Sequence, residues 1–121
     1  MAEDEEIKSD VRDFQSLQQQ LQIIGMQKQQ VSAQKQEIGK AIEEVTKLKS
    51  EGKVFRLVGS VFVPKQKDTL EKELKGEAQT LEDRKATLER QETRLAERME
   101  VFRKKFEALE KGERATAKPA K

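Results

Sequence analysis

Apolar residues return along this chain at two spacings, a seven-residue rhythm over two long stretches and short β-branched runs between them. From Ile7 the positions Ile7, Phe14, Leu21, Lys28, Lys35, Ile42 and Lys49 recur every seventh residue, and Asp10, Leu17, Ile24, Val31, Ile38 and Val45 follow three places after each. That is the a/d seam of a coiled coil, with Asp10 and three lysines as polar interruptions. It predicts a first helix over residues 5–52. Gly25 and Gly39 each cost it about 1 kcal/mol relative to Ala. Gly52 suits the left-handed cap that ends it. Glutamines crowd the surface of this helix (Gln15, Gln18, Gln19, Gln20, Gln22, Gln27, Gln29, Gln30), and with heptads beneath them a coiled coil is favoured over a disordered tract.

The period changes at residues 53–65. Val54, Phe55, Leu57 and Val58 precede Gly59-Ser60, and Val61, Phe62 and Val63 follow it. A Gly-Ser pair between two β-prone runs marks a two-residue hairpin, with Gly59 supplying the positive φ that a type II′ turn requires. The pairing predicted is Val58 with Val61, Leu57 with Phe62 and Arg56 with Val63. Both faces are then largely apolar, and Pro64, which has no amide donor, closes the hairpin at the end of an edge strand.

A second helix is predicted over residues 68–111, opened by Asp68 as N-cap with Glu71 at capping-box spacing. Leu74, Leu81, Leu88, Leu95, Phe102 and Leu109 recur every seventh residue, and Ala78, Lys85, Glu92, Met99 and Phe106 follow four places later. Gly112 is placed as its end, and residues 112–121 as a disordered basic tail. The two heptad stretches match in length, so folding at Gly59 brings Phe14 toward Met99 to Phe106 and Ile42 toward Leu74 to Ala78. The expected fold class is mainly α: one domain over residues 1–121, an antiparallel two-helix coiled coil with one central β-hairpin. Each helix of roughly 40 residues would run about 60 Å. A lone two-stranded hairpin is marginal in water, so strands from other chains are expected to complete it.

Composition narrows the chemistry. Of 121 residues, 40% are charged and 34% hydrophobic, enough apolar material for a seam but little for a compact core. There is no His, Cys, Trp or Tyr. The usual general base, the thiol nucleophile and the soft metal ligands are therefore missing, and no catalytic, cofactor-binding or metal site is expected. Glu43 and Glu44, an adjacent carboxylate pair, have no companion group that would make a hydrolytic site. Nothing approaches a membrane span, and the acidic start is unlike a secretory signal, which points to a soluble, cytoplasmic chain without membrane partners. The acidic N-terminal end and the basic C-terminal end neutralise each other if the chain doubles back, which is favoured over a nucleic-acid-binding tail.

Leu17-Gln18-Gln19-Gln20-Leu21, Gln27-Lys28-Gln29-Gln30, Val54-Phe55-Arg56-Leu57-Val58-Gly59 with Val61-Phe62-Val63, and Leu88-Glu89-Arg90-Gln91-Glu92 through Leu95 together resemble the β class of the prefoldin family. Members often carry an aromatic other than Phe at position 55, Asn or Gly at 60 and an aliphatic at 62. Phe55, Ser60 and Phe62 depart from that pattern but keep strand character. The resemblance implies a hexamer of two α-type and four β-type subunits whose hairpins join an intersubunit β-barrel, here through Val54, Phe55, Leu57, Val58, Gly59, Val61, Phe62 and Val63. It also implies an ATP-independent chaperone, not an enzyme, that holds unfolded client proteins and delivers them to a group II chaperonin. A holdase needs apolar surface that water reaches. The open helix ends place Ile7, Val11, Phe14, Met99, Val101, Phe102, Phe106 and Leu109 as client contacts; Val11 and Val101, which lie off the seam, are the best placed. The alternative is a structural coiled-coil scaffold that binds a folded partner.

Overall fold

The computed structural model describes residues 2–49 and 53–117, with side chains described over 3–49 and 53–112. Helix α1 spans Ala2–Lys47, strands β1 and β2 span Lys53–Val58 and Val61–Gln66, and helix α2 spans Lys67–Ala117. The fold is thus two long helices around a central antiparallel hairpin, as the change of period predicts. Residues up to Met26 and from Glu89 onward form one compact unit, and Gln27 to Leu88 form a second.

The heptad seam is visible in the burial of each unit. Leu17 and Ile24 are buried in the first, with Phe14, Leu21, Leu95, Met99, Phe102 and Phe106 half-buried. In the second, Val31, Val45, Leu74 and Leu88 are buried, and residues between the seam positions are mostly exposed. The densest packing lies at the root of the hairpin. There Val45, Val54, Leu70 and Leu74 form one cluster, with Ile38, Ala41 and Ile42 against it. Fully burying a Val or Leu contributes about 1.5–3 kcal/mol, so this small cluster is the main anchor of its unit. Lys35, a polar interruption of the seam, is accommodated by an ion pair with Glu82.

The hairpin pairs in the predicted register, Val58 with Val61, Leu57 with Phe62 and Arg56 with Val63, and continues through Phe55 with Pro64 to Lys53 with Gln66. Gly59 has φ +62°, and no other described residue has a positive φ, so Ser60 does not. Positive φ at the first central position alone is the sign pattern of a type II′ turn. Strand β2 runs two residues past Pro64 instead of ending near it. In a two-residue hairpin the pair flanking the turn exchanges both hydrogen bonds and pairs alternate thereafter, so Phe55 and Pro64 form a non-hydrogen-bonded pair. The nitrogen of Pro64 points away from β1, and its missing donor costs the hairpin nothing.

All four helix ends differ from expectation. Helix α1 begins at Ala2 and its last helical residue is Lys47; the Gly52 cap falls outside the described residues. Its final carbonyls are satisfied from α2 instead: the Lys67 ammonium donates to the Leu48 oxygen at 2.6 Å and lies 3.4 Å from that of Thr46. A cation at a helix C-terminus also meets the negative end of the helix dipole. Helix α2 starts at Lys67, so Asp68 lies within its first turn, complementing the positive end, and is not the N-cap. Helix α2 also continues through Gly112 to Ala117, where an end and a disordered tail were expected. Gly112 lacks the positive φ of a left-handed cap, and Glu110, Lys111, Glu113 and Arg114 around it are good helix formers.

Candidate interaction surfaces

Alternation divides the hairpin into two unlike faces. Val54, Arg56, Val63 and Lys65 turn toward the helices and are buried or half-buried, whereas Phe55, Leu57, Phe62 and Pro64 turn outward and are exposed. Phe55 is 61%, Leu57 57% and Phe62 68% exposed, a contiguous apolar face on a two-stranded sheet. Val58 and Val61, beside the turn, are exposed as well. The helix-facing side is not the largely apolar surface expected from the strand pairing, because Arg56 and Lys65 lie in it and meet carboxylates of α2. Arg56 donates from Nη1 to Glu73 Oε2 at 3.2 Å and from Nη2 to Glu77 Oε1 at 2.5 Å, and Lys65 donates to the other oxygen of Glu73. The Lys65 hydrogen bond, then its charge and the Arg56 contact, hold the Glu73 carboxyl below the ordinary glutamate range. The Glu77 hydrogen bond leads the causes that raise the Arg56 guanidinium. These contacts fix which face of the sheet turns outward.

The second surface lies in the unit made of the chain's two ends. Phe14 meets Phe106 edge-on, ring centroids 5.6 Å apart at 79°, and Phe102 stacks on Phe106 at 6.3 Å and 28°. These three predicted client contacts therefore form one aromatic cluster, half-buried and still touching water. Ile7 and Met99 are also half-buried on the seam. Val11 and Val101 are exposed, Val101 at 67%, as their places off the seam require. Leu109 keeps the heptad spacing but is 38% exposed and joins no buried cluster.

Charges rim this cluster. Lys105 lies 2.6 Å from Asp10 and 3.3 Å from Glu6, and its pKa is raised, chiefly by Asp10. Lys105 thus pairs with two acids of the N-terminal end, but it precedes the basic stretch 111–121 from which neutralisation was expected, and the side chains there lie outside the described residues from 113 onward. Arg103 bonds Glu100 and Glu107 along its own helix, which occupies the guanidinium and lowers the Glu100 carboxyl. The basic run Arg103 to Lys105 thus belongs to a network with acids. Among the described residues there is no group of His, Cys, Asp or Glu that could hold a metal ion.

In this unit Ile23, 54% exposed, and Met26, 64% exposed, are apolar residues that were not singled out from the sequence. Their heptad places, facing away from the seam, were the available signal.

The prefoldin subunit family matches residues 9–113. The chain belongs to the prefoldin family. This prefoldin chain is similar to the prefoldin β subunit from Thermococcus strain KS-1, whose crystal structure it matches with a TM-score of 0.79 at 34% identity, covering 86% of this chain and 91% of that one. The β class and the fold inferred from the single hairpin agree with this likeness. Among curated proteins no match was found. No helix among the described residues is long and apolar enough to cross a membrane.

Proposed function

We propose that this prefoldin subunit works as a β-type member of a hetero-oligomer with α-type subunits and further copies of itself, two α-type to four β-type. In that assembly it is an ATP-independent holdase that binds unfolded polypeptides and passes them to a group II chaperonin. The observation that carries the reading is the outward hairpin face, Phe55, Leu57 and Phe62, each more than half exposed on a sheet of only two strands. Such a face and its open edges are stable when neighbouring strands cover them. Assembly through Phe55, Leu57, Val58, Gly59, Val61 and Phe62, with Val54 and Val63 of the expected set turned inward to the helices, leaves the helix ends to do the binding. There Ile7, Val11, Phe14, Met99, Val101, Phe102, Phe106 and Leu109 offer apolar surface of graded exposure, suited to transient capture of apolar side chains. None of the residues in these surfaces has the chemistry of a catalyst, and the activity needs no cofactor.

The test is light scattering after a chemically denatured protein is diluted into buffer with the assembled complex and no nucleotide. Suppressed aggregation at near-stoichiometric complex, weakened by Phe102→Ser with Phe106→Ser, is the expected outcome. Unchanged aggregation with a verified assembly would replace the holdase with a coiled-coil scaffold for a folded partner.

A further inference from the structure

The charge map of α1 is uneven. In a chain that is 40% charged, no residue from Phe14 through Gln27 carries a charge. The α2 portion of the same compact unit is the opposite, with Glu89, Arg90, Glu92, Arg94, Glu97 and Arg98 in one short run. Positions that face away from a coiled-coil seam ordinarily carry charge, because water is their only neighbour. Here those positions hold Gln19, Gln22, Ile23 and Met26, all exposed.

We propose that this uncharged outer face of α1 is a second contact for unfolded polypeptides, with Ile23 and Met26 as its apolar centre. The inference rests on the holdase reading and extends it to residues away from the helix ends. Single exposed apolar residues are normal on any surface; what distinguishes these is their setting. Ile23 and Met26 are neighbours at i,i+3. Gln20, three residues before Ile23, lines a groove of about 330 Å³ together with the apolar Ile24 and Leu95 and the polar Gln91, Arg94 and Arg98. An extended segment lying over Ile23 and Met26 reaches this groove across Gln20.

The chemistry selects one occupant, an extended, uncharged, apolar-rich segment of an unfolded chain. Met adapts its shape to varied side chains, as a promiscuous site requires. Each Gln amide both donates and accepts, so it can satisfy a peptide N–H or C=O whatever the sequence. The absence of charge removes the cost of stripping water from ions when the face is covered. A charge-dense helix such as α2 of this unit would bring that cost with it, which disfavours a folded helix as the occupant.

The experiment uses the assembled complex with reduced, urea-denatured lysozyme as the probe. Ile23→Gln with Met26→Gln matches the surroundings and keeps helix propensity. The double variant should need about fivefold more complex for half-suppression of scattering, the effect of losing roughly 1 kcal/mol of apolar burial. A benzophenone side chain at position 22 should crosslink the probe, while circular dichroism and sedimented mass remain those of the unsubstituted complex. Unchanged half-suppression by the double variant, with Phe102→Ser still weakening capture, overturns this inference and leaves the holdase reading standing. A fall in sedimented mass also overturns it, since the face would then be a contact between subunits. Failure of the unsubstituted complex to suppress scattering overturns both.

Discussion

The unit from Gln27 to Leu88 and the unit made of the two chain ends hold their helices with different materials. The first uses small branched side chains packed to near-complete burial, Val45, Val54, Leu70 and Leu74, bounded by the Arg56, Lys65, Glu73 and Glu77 ion network. The second adds to its buried pair, Leu17 and Ile24, a cluster of aromatic rings that stays half-exposed, rimmed by the contacts of Lys105 with Asp10 and Glu6. Branched aliphatic packing tolerates little movement, because any displacement opens a void. Rings in edge contact at a wet surface can part and close again at lower cost. The difference assigns rigidity to the hairpin root and adaptability to the helix ends.

Leu74→Ala should break the first unit hardest. Truncation at a site 5% exposed is expected to cost about 3 kcal/mol, read as a fall in the urea midpoint of the assembled protein and as faster amide exchange around residues 42–74. A loss as small as that of a surface substitution would mean that the cluster is not the anchor. Phe106→Leu comes next. It keeps much of the apolar area but removes the ring that Phe14 and Phe102 share, for an expected loss of about 1 kcal/mol, with exchange raised at the amides near Phe14 and Phe102.

The heptads make both seams legible in the sequence, since a seven-residue repeat dictates which side of a helix is covered. The hairpin register is legible too, from Gly59-Ser60 alone. What the spacing could not carry was contact between elements whose relative turn is set by packing. Which face of the strands meets α2 decides that Arg56 finds Glu73 and Glu77, and no periodicity encodes that choice. Lys67 capping the end of α1 is a second example, a bond from the start of one helix to the carbonyls of another. Of the candidate client contacts, Phe14, Phe102 and Phe106 could be placed together from matched helix lengths. The exposure of Leu109 could not, because heptad spacing persists where the burial stops.

Smaller effects sharpen the contrast through charge. Glu73 has its carboxyl held below the ordinary range in the folded state, so its contribution is fully present above that range and is lost as pH falls through the lowered value. Between about pH 7 and about pH 3 the urea midpoint should therefore fall further for the natural chain than for Glu73→Gln. Equal slopes would show that the network does not couple to folding. Smallest of all is Lys105→Gln. Its pair with Glu6 is solvated, but the Asp10 side chain beside it is only 13% exposed, so the shift in midpoint should be slight and high salt should reduce it without abolishing it.

The place of Pro64 has a consequence for how growth by strand addition stops. Its nitrogen faces the outer rim of β2, so that rim offers amide donors only at Phe62 and Gln66, while the outer rim of β1 keeps an unbroken series at Lys53, Phe55 and Leu57. A rim with a missing rung is a poor template for indefinite stacking, whereas an intact one accepts a strand readily. A newly made chain waiting for its neighbours is thus biased toward a closed, countable set of strands and away from the fibre that its apolar face would otherwise invite.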